Sequence, residues 1–344
     1  MTQEQISQLQ QVLEQEQGPT SCVSTHVSWV LLCPTVVYKI PKAVRLPYLD
    51  FSTLEHRQLY CDNEVKLNNR LTEGVYLEVV PVWSARTQLG IENLPAGATV
   101  LDYAVKMKRL PQDRLMWKML QRQQVAPHHI EALAQQIAHF HLAHEPVQTQ
   151  PDIERMQTDF ADLSSIKSAI ANLLSPAAAE QLEEWIFAAN HFLKSHHARI
   201  LERHQLGYYR ELHGDLHSEN IFLLEEPVVF DCIAFNEDFR RDDVLNELAF
   251  FCMDMDFHSQ APLGNRFLLK YLEIFPCLET EEDQRLFLYY KLYRANVRLK
   301  VNALKWQQTE GATERALRAK VVKKYFWLMR SYAKIVFRSK PNFV

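Results

Sequence analysis

The sequence predicts an α+β chain in two lobes: a small antiparallel β lobe with one long helix, then a larger, mostly helical lobe. Three observations predict it. Short runs rich in Val, Thr, Tyr and Trp, bounded by turn residues, are confined to the first 108 positions. One long helical pattern interrupts them, starting at Ser52-Thr53-x-Glu55 and running to about Arg70. Beyond Arg114 helical periodicity dominates, apart from a single hairpin across residues 208–231.

Residues 2–16 read as an amphipathic helix with Ile6, Leu9 and Leu13 on one side. Residues 22–32 read as one strand, Cys33-Pro34-Thr35 as a turn and residues 36–40 as a second strand. After the long helix, strands follow at 76–83, 87–92 and 99–108. Lys108-Arg109-Leu110-Pro111 then leaves the sheet, which sets an N-lobe at 1–108 and a C-lobe at 109–344. Helices are predicted near 114–122, 128–145, 152–173, 177–205, 243–258, 262–275, 281–306 and 312–338.

Composition narrows the function classes. A chain of 344 residues, 47% apolar, can bury a sizeable core in two lobes. No apolar run reaches transmembrane length, and the polar start Met1-Thr2-Gln3-Glu4-Gln5 lacks a secretory pattern. The six cysteines form no Cys-x-x-Cys pair, which points to a reducing, cytoplasmic setting without zinc or disulfides. With 8 glycines in all, a glycine-rich phosphate loop is not expected. Residues 285–344 carry 15 Lys and Arg against two carboxylates, and the preceding residues 23 against 40. An acidic body suits a cationic small substrate, and the basic helical segment 285–340 is expected to dock on that body.

The chemistry concentrates in His213-Gly214-Asp215-Leu216-His217-Ser218-Glu219-Asn220. Asp215 and Asn220 lie five residues apart, and Asp231 follows at the end of the strand Val228-Val229-Phe230. In phosphoryl transfer one carboxylate receives the acceptor's proton, while a second carboxylate and an amide oxygen hold Mg²⁺ as hard oxygen ligands. Asp215 takes the first role, Asn220 and Asp231 the second. His-Gly-Asp is also a common turn; the hairpin around it, with polar groups at both open ends, favours the catalytic reading. Lys39, in the apolar run Val36-Val37-Tyr38-Lys39-Ile40, is the candidate phosphate-binding cation, with Lys42 as its rival. Glu64 is its candidate partner, ahead of Glu55, which suits a helix cap better. Ser24-Thr25-His26-Val27-Ser28 is a weak candidate for hydroxyl and amide contacts to phosphates. Backbone groups around Lys106 to Lys108 are candidates for an adenine edge. Asp243 is read as support for the catalytic loop. His139, His141 and His144 are read as packed helix residues rather than metal ligands.

Taken together, these residues resemble the aminoglycoside phosphotransferase family, which is itself similar to protein kinases. The likeness runs through Thr25-His26-Val27-Ser28-Trp29, Tyr38-Lys39-Ile40, Leu49-Asp50-Phe51-Ser52-Thr53-Leu54-Glu55, Asn63-Glu64-Val65-Lys66, the 213–220 loop and Phe230-Asp231-Cys232-Ile233-Ala234-Phe235. It extends to Leu248-Ala249-Phe250 and Met253-Asp254. The branch it resembles more closely is uncharacterised and often fused to a C-terminal P-loop ATP-binding domain; no Gly-x-x-x-x-Gly-Lys-[Ser/Thr] stretch occurs here. Tyr38-Lys39-Ile40-Pro41-Lys42-Ala43 also departs from the Tyr-Lys-Ile-Lys-Lys-Pro expected of that branch. The resemblance implies a bilobal protein-kinase-like fold, ATP and Mg²⁺ as cofactors, and O-phosphorylation with Asp215, Asn220, Asp231, Lys39 and Glu64 in the site.

The expected activity is therefore phosphoryl transfer from ATP to a hydroxyl of an aminated or polyhydroxylated small molecule. Glu237, Asp238, Asp254 and Asp256 are candidates for holding the acceptor. Eleven residues between Asp231 and Asp243 leave no room for the activation segment of a protein kinase. A catalytically silent nucleotide-binding module acting with a separate partner is the alternative. Binding of anionic lipid or nucleic acid through residues 285–340 is a third reading, with core packing the simpler account of that segment. No nucleic-acid partner is expected.

Overall fold

The computed structural model describes residues 1–46, 49–86 and 88–337. The predicted start of a strand at Thr87, and residues 338–340 of the basic segment, lie outside the described residues. Strands and helices follow in the order α1 (Gln3–Gln17), β1 (Ser21–Ser24), β2 (Ser28–Leu32), β3 (Val36–Pro41), β4 (Arg45–Leu46), β5 (Leu49–Asp50), α2 (Leu54–Asn68), β6 (Tyr76–Ala85), β7 (Gln88–Ile91) and β8 (Thr99–Lys108). Next come α3 (Met116–Gln121), α4 (Pro127–Leu142), α5 (Ile153–Ala161), α6 (Lys167–Leu173), α7 (Pro176–Ser195) and α8 (His197–Gln205). The chain closes with β9 (Tyr209–Glu211), β10 (Ile221–Leu223), β11 (Pro227–Val229), β12 (Arg241–Asp243), α9 (Val244–Phe257), α10 (Ala261–Leu272), α11 (Glu281–Gln308) and α12 (Ala312–Val336).

By internal contacts the chain divides into two units. One comprises Met1–Met119 with Glu219–Arg240, the other Leu120–Ser218 with Arg241–Val344. The hairpin β10–β11 thus belongs with the sheet, and the division falls inside the 213–220 loop, after Ser218.

In the first unit six antiparallel strands run in the order β1-β2-β3-β8-β6-β7. The expected strand over 22–32 is two strands joined at Thr25-His26-Val27. The Thr25 hydroxyl accepts the amides of Val27 and Ser28, and this local turn breaks the strand. Strand alternation then sorts side chains to two faces. Tyr38 and Ile40 pack with Ile6, Leu9 and Leu13 of α1, as the helix periodicity predicts. Tyr60 and Cys61 of α2 pack with Val75, Tyr76 and Val105 in a separate cluster. Lys39, between Tyr38 and Ile40 on the strand, is thereby directed away from the α1 cluster.

The second unit is helical, with a small pair β9–β12. Two helices expected as single spans are divided. A 3-10 turn at Asp162–Ile166 separates α5 from α6, and α7 ends before α8 at His196, whose ring stacks on Phe192. Among the described residues no helix is long and apolar enough to cross a membrane.

Arg203 of α8 is wholly buried. It donates to both oxygens of Asp243 at 2.6 and 2.8 Å, to Asp283 at 2.7 Å and to the Cys277 carbonyl at 2.7 Å. Asp243 also caps α9 by accepting the Leu245 amide. Its role is to neutralise Arg203 and start α9, not to brace the 213–220 loop as the sequence reading had it. Asp243→Ala leaves the buried guanidinium with one carboxylate and removes the cap. The expected loss is about 3–5 kcal/mol in chemical denaturation; a loss below about 1 kcal/mol would contradict this account of the α8–α9 junction.

Candidate active site

Lys39 and Glu64 meet because β3 and α2 present their inward faces to each other. The buried face of α2 is Arg57, Tyr60, Cys61, Glu64 and Asn68, spaced by three and four residues. Lys39 Nζ lies 2.6 Å from Glu64 Oε1 and 2.6 Å from Asp231 Oδ1. The three sequence-predicted residues thus form one ion triad within the first unit. Glu64 is completely enclosed, whereas the Asp231 side chain is 46% exposed, so the triad opens on the Asp231 side. Burial works against the Lys39 charge, but Asp231 and Glu64 outweigh it and raise its pKa well above the usual lysine range. Burial raises the Glu64 pKa, and Lys39 only partly offsets that. Lys42 is engaged elsewhere: it bonds the Ser24 hydroxyl and the Thr25 carbonyl at the β1–β2 turn and lies over the Trp29 ring.

Asp231 adopts a left-handed backbone, with φ of 62°. A non-glycine residue held there costs free energy and needs support from its surroundings. Two side chains of the same unit supply it. The Asp231 amide donates to the Tyr76 hydroxyl at 3.0 Å, and the Cys232 amide to Asn68 Oδ1 at 2.8 Å. Asn68 is buried, and its own amide group donates to the Glu64 carbonyl one helical turn back. Asn220, nearly buried at the other end of the hairpin, accepts the Phe230 amide with its main-chain carbonyl at 3.0 Å. Sequence reasoning missed Tyr76 and Asn68. An Asn one turn after Glu64 on the same helix face was the available signal.

Within the second unit the loop that carries Asp215 turns at Gly214, whose φ of 87° suits glycine. The wholly buried Glu247 of α9 accepts the Gly214 amide at 2.6 Å and the His213 amide at 3.2 Å. His141 stands 2.8 Å behind Glu247 and 2.7 Å from the Tyr271 hydroxyl. Burial alone would raise the Glu247 pKa; His141 and the loop groups reverse this and lower it. Glu247 thus carries the bracing role expected of Asp243. Its signal in the sequence was a carboxylate inside the apolar run Val244-Leu245-Asn246-Glu247-Leu248-Ala249-Phe250, where an unpaired charge is too costly to persist.

The Asp215 side chain is 36% exposed, and its Oδ2 lies 3.1 Å from His217 Nε2. Partial burial pushes its pKa up; the imidazole charge and hydrogen bond of His217, with Arg298 nearby, outweigh this and hold the carboxyl well below the usual range.

Two of the four candidate acceptor-binding carboxylates have partners within the second unit. Asp254 is buried and accepts the Ser218 amide at 2.8 Å. Asp256 pairs with Lys291 at 2.5 Å and accepts the Tyr332 hydroxyl. Glu237 and Asp238 belong to the first unit. The candidate adenine edge is also engaged: β8 is paired through Lys108, whose amide donates to the Val75 carbonyl at 2.8 Å. His139 is exposed, His144 bonds the Phe140 carbonyl and His141 is turned to Glu247. Among the described residues no three His, Cys, Asp or Glu are gathered to hold a metal ion.

A family model described as the phosphotransferase enzyme family, APH, matches residues 56–283. An uncharacterized protein of Mycobacterium tuberculosis (strain ATCC 25618 / H37Rv) is 26% identical over 293 residues, which are 83% of this chain and 55% of that protein. The chain therefore spans about half the length of that curated relative. Among solved structures, choline kinase from Cryptosporidium parvum Iowa II superposes with a TM-score of 0.57 at 12% identity, covering 92% of this chain and 89% of its own. The GDP and kanamycin complex of APH(2")-IIia gives 0.52 at 12% identity, covering 95% and 99%. These two likenesses are of fold: an antiparallel sheet unit followed by a helical unit, as in protein kinases. The family match includes Glu64, the 213–220 loop and Asp231 and extends over more than half of the residues, and the chain belongs to the phosphotransferase enzyme family.

Proposed function

We propose that this chain is an ATP- and Mg²⁺-dependent kinase that transfers the γ-phosphate to a hydroxyl of a small molecule. The observation that carries the reading is the Lys39–Glu64–Asp231 triad, which a nucleotide-binding kinase uses to hold phosphates. In this reading residues 1–108 form the nucleotide lobe, and residues 109–344 supply the catalytic loop and the acceptor site. Glu64 keeps Lys39 charged and directed, and Lys39 binds the α- and β-phosphates. Asp215 orients the acceptor hydroxyl and takes its proton as the oxygen bonds to the γ-phosphorus and the bond to the bridging oxygen of ADP breaks.

Magnesium fits the donor set. Asp231 and Asn220 offer hard oxygens, and the ion favours one or two carboxylates completed by phosphate oxygens over an all-protein cage. Those two residues would hold it, and when bound it supplies positive charge to the phosphate oxygens.

For the acceptor we favour an aminated or polyhydroxylated alcohol, the class to which choline and kanamycin, named with the two structural neighbours, belong. The six free cysteines suit a reducing, cytoplasmic setting.

The reading is tested by a phosphate-transfer screen with ATP, Mg²⁺ and a panel of amino-sugars, sugars, amino alcohols and nucleosides. Asp215→Asn is expected to abolish transfer while leaving nucleotide binding within about twofold; unchanged turnover would refute the assignment. The depressed Asp215 pKa sets the sign of the pH dependence. The carboxylate persists as pH falls until the lowered folded value is reached, so loss of rate from this group is expected only below the ordinary carboxylate range. A wild-type rate limb near pH 6 that coincides with the Asp215 carboxyl titration followed by NMR would contradict it. Asn68→Leu leaves the buried Cys232 amide without its acceptor. We expect about 1–3 kcal/mol of lost stability, together with weaker Mg²⁺-nucleotide binding, both measured on the same purified variant.

A further inference from the structure

The mechanism above gives no task to α11 and α12, yet α11 touches the catalytic loop at two points. Arg294 and Arg298 lie one helical turn apart and so share a face. Arg294 is buried. Its Nη1 donates to the Gly214 carbonyl at 3.1 Å, its Nε donates to Asn246 at 2.7 Å, and its guanidinium lies over the Phe250 ring. Arg298 Nη1 comes within 3.3 Å of His217 Nε2, the same nitrogen that stands 3.1 Å from Asp215 Oδ2. Resting on the kinase reading, we propose that Arg298 is a positioning residue: acting through His217, it fixes the Asp215 carboxylate, which makes the C-terminal helix pair part of the catalytic apparatus.

The chemistry of the three groups supports this. A guanidinium has only donors and keeps its charge, and an ionised carboxylate has only acceptors. The His217 nitrogen between them carries either a proton or a lone pair. With the proton, it donates to Asp215, and Arg298 acts on the carboxylate by its charge. With the lone pair, it accepts from Arg298, and Asp215 loses that bond. The position of Arg298 therefore bears on both the imidazole tautomer and the carboxylate's orientation.

Arg298 is itself held in place. Its Nε donates to the Tyr325 hydroxyl at 3.2 Å, and Tyr325 is buried on α12 with its ring stacked on Phe257 at 4.1 Å. An arginine braced this way is not a loose surface charge. His217 is nearly enclosed and its ring lies 5.3 Å from that of Phe250, so it has little freedom to turn away from Asp215 and Arg298. Among the described residues, His217, Arg298 and His213 act on the Asp215 charge, Glu247 and Asp254 of α9 and Arg294 of α11 bond the loop beside it, and Tyr325 of α12 bonds Arg298.

The test compares wild type, Arg298→Met and Arg298→Lys, with folding checked by thermal denaturation. In turnover, Arg298→Met is expected to lower kcat at least about tenfold with the nucleotide KM within about twofold, and to move the acidic limb up by about one pH unit. Arg298→Lys restores the limb but not the full rate, because it keeps the charge and loses the fork. A second readout needs no turnover: NMR of the Asp215 carboxyl and the His217 ring nitrogens. Arg298→Met should shift the carboxyl titration upward and change the tautomer balance. A folded Arg298→Met with both signals unchanged overturns the proposal. If both signals shift while the wild-type chain transfers no phosphate to any acceptor, the kinase reading falls and the positioning role stands. Should Arg298→Met not fold, Tyr325→Phe removes only the bracing hydroxyl. It is expected to move the same signals in the same direction, and unchanged signals in that variant overturn the proposal equally.

Discussion

A lysine and a glutamate cannot stay buried in an apolar sheet-and-helix core unless they find each other. The Lys39–Glu64–Asp231 triad meets that constraint, and the first unit is organised by it. Alternation along β3 gives Tyr38 and Ile40 to the α1 side and Lys39 to the α2 side. The face of α2 that meets the sheet is polar at Arg57, Glu64 and Asn68, and each has a defined partner: Asp102, Lys39 and the Cys232 amide. The Asp231 backbone is held in a left-handed conformation by Tyr76 and by the neighbouring bond to Asn68. The most exposed carboxylate of the triad is therefore also the one whose main chain is most closely restrained. That suits a group that must meet an incoming ligand in one orientation.

The second unit treats its half of the loop in a comparable way. Glu247 accepts the His213 and Gly214 amides, and Arg294 donates to the Gly214 carbonyl that follows them. Both polar faces of the Gly214 peptide region are thus engaged by buried charges from two helices. Some of the positive charge of the C-terminal segment has internal partners. Lys291 pairs with Asp256, Lys300 with Asp162 and Arg294 with the loop. Lys291 and Lys300 thus pair with carboxylates of the preceding residues.

Much of the fold was legible because long periodic segments and turn residues are local signals. The limits of β8 and the α1 face Ile6, Leu9 and Leu13 were read directly. The β1–β2 turn was not, because Ser and Thr suit strands as well as turns and only the Thr25 side-chain bonds decide between them. In the site, Lys39, Glu64 and Asp231 were each named from local pattern, and the structure brings them within hydrogen-bond distance. Asn68, Tyr76, Glu247 and Arg298 were not named, since their roles depend on contacts between residues far apart in the chain. The reading of Asp243 failed for the same reason. A carboxylate at a helix start has several possible partners, and Arg203, forty residues earlier, is not visible from its neighbours.

The central claim is that the triad is a nucleotide-phosphate site and not merely an internal ion cluster. Calorimetric titration of Mg²⁺-ATP into wild type and Lys39→Met tests it most directly, with folding of both confirmed. Loss of a charged hydrogen-bond donor to phosphate predicts at least about a tenfold weaker dissociation constant in the variant. Equal affinity in the two folded proteins, or no measurable binding to wild type, would contradict the account.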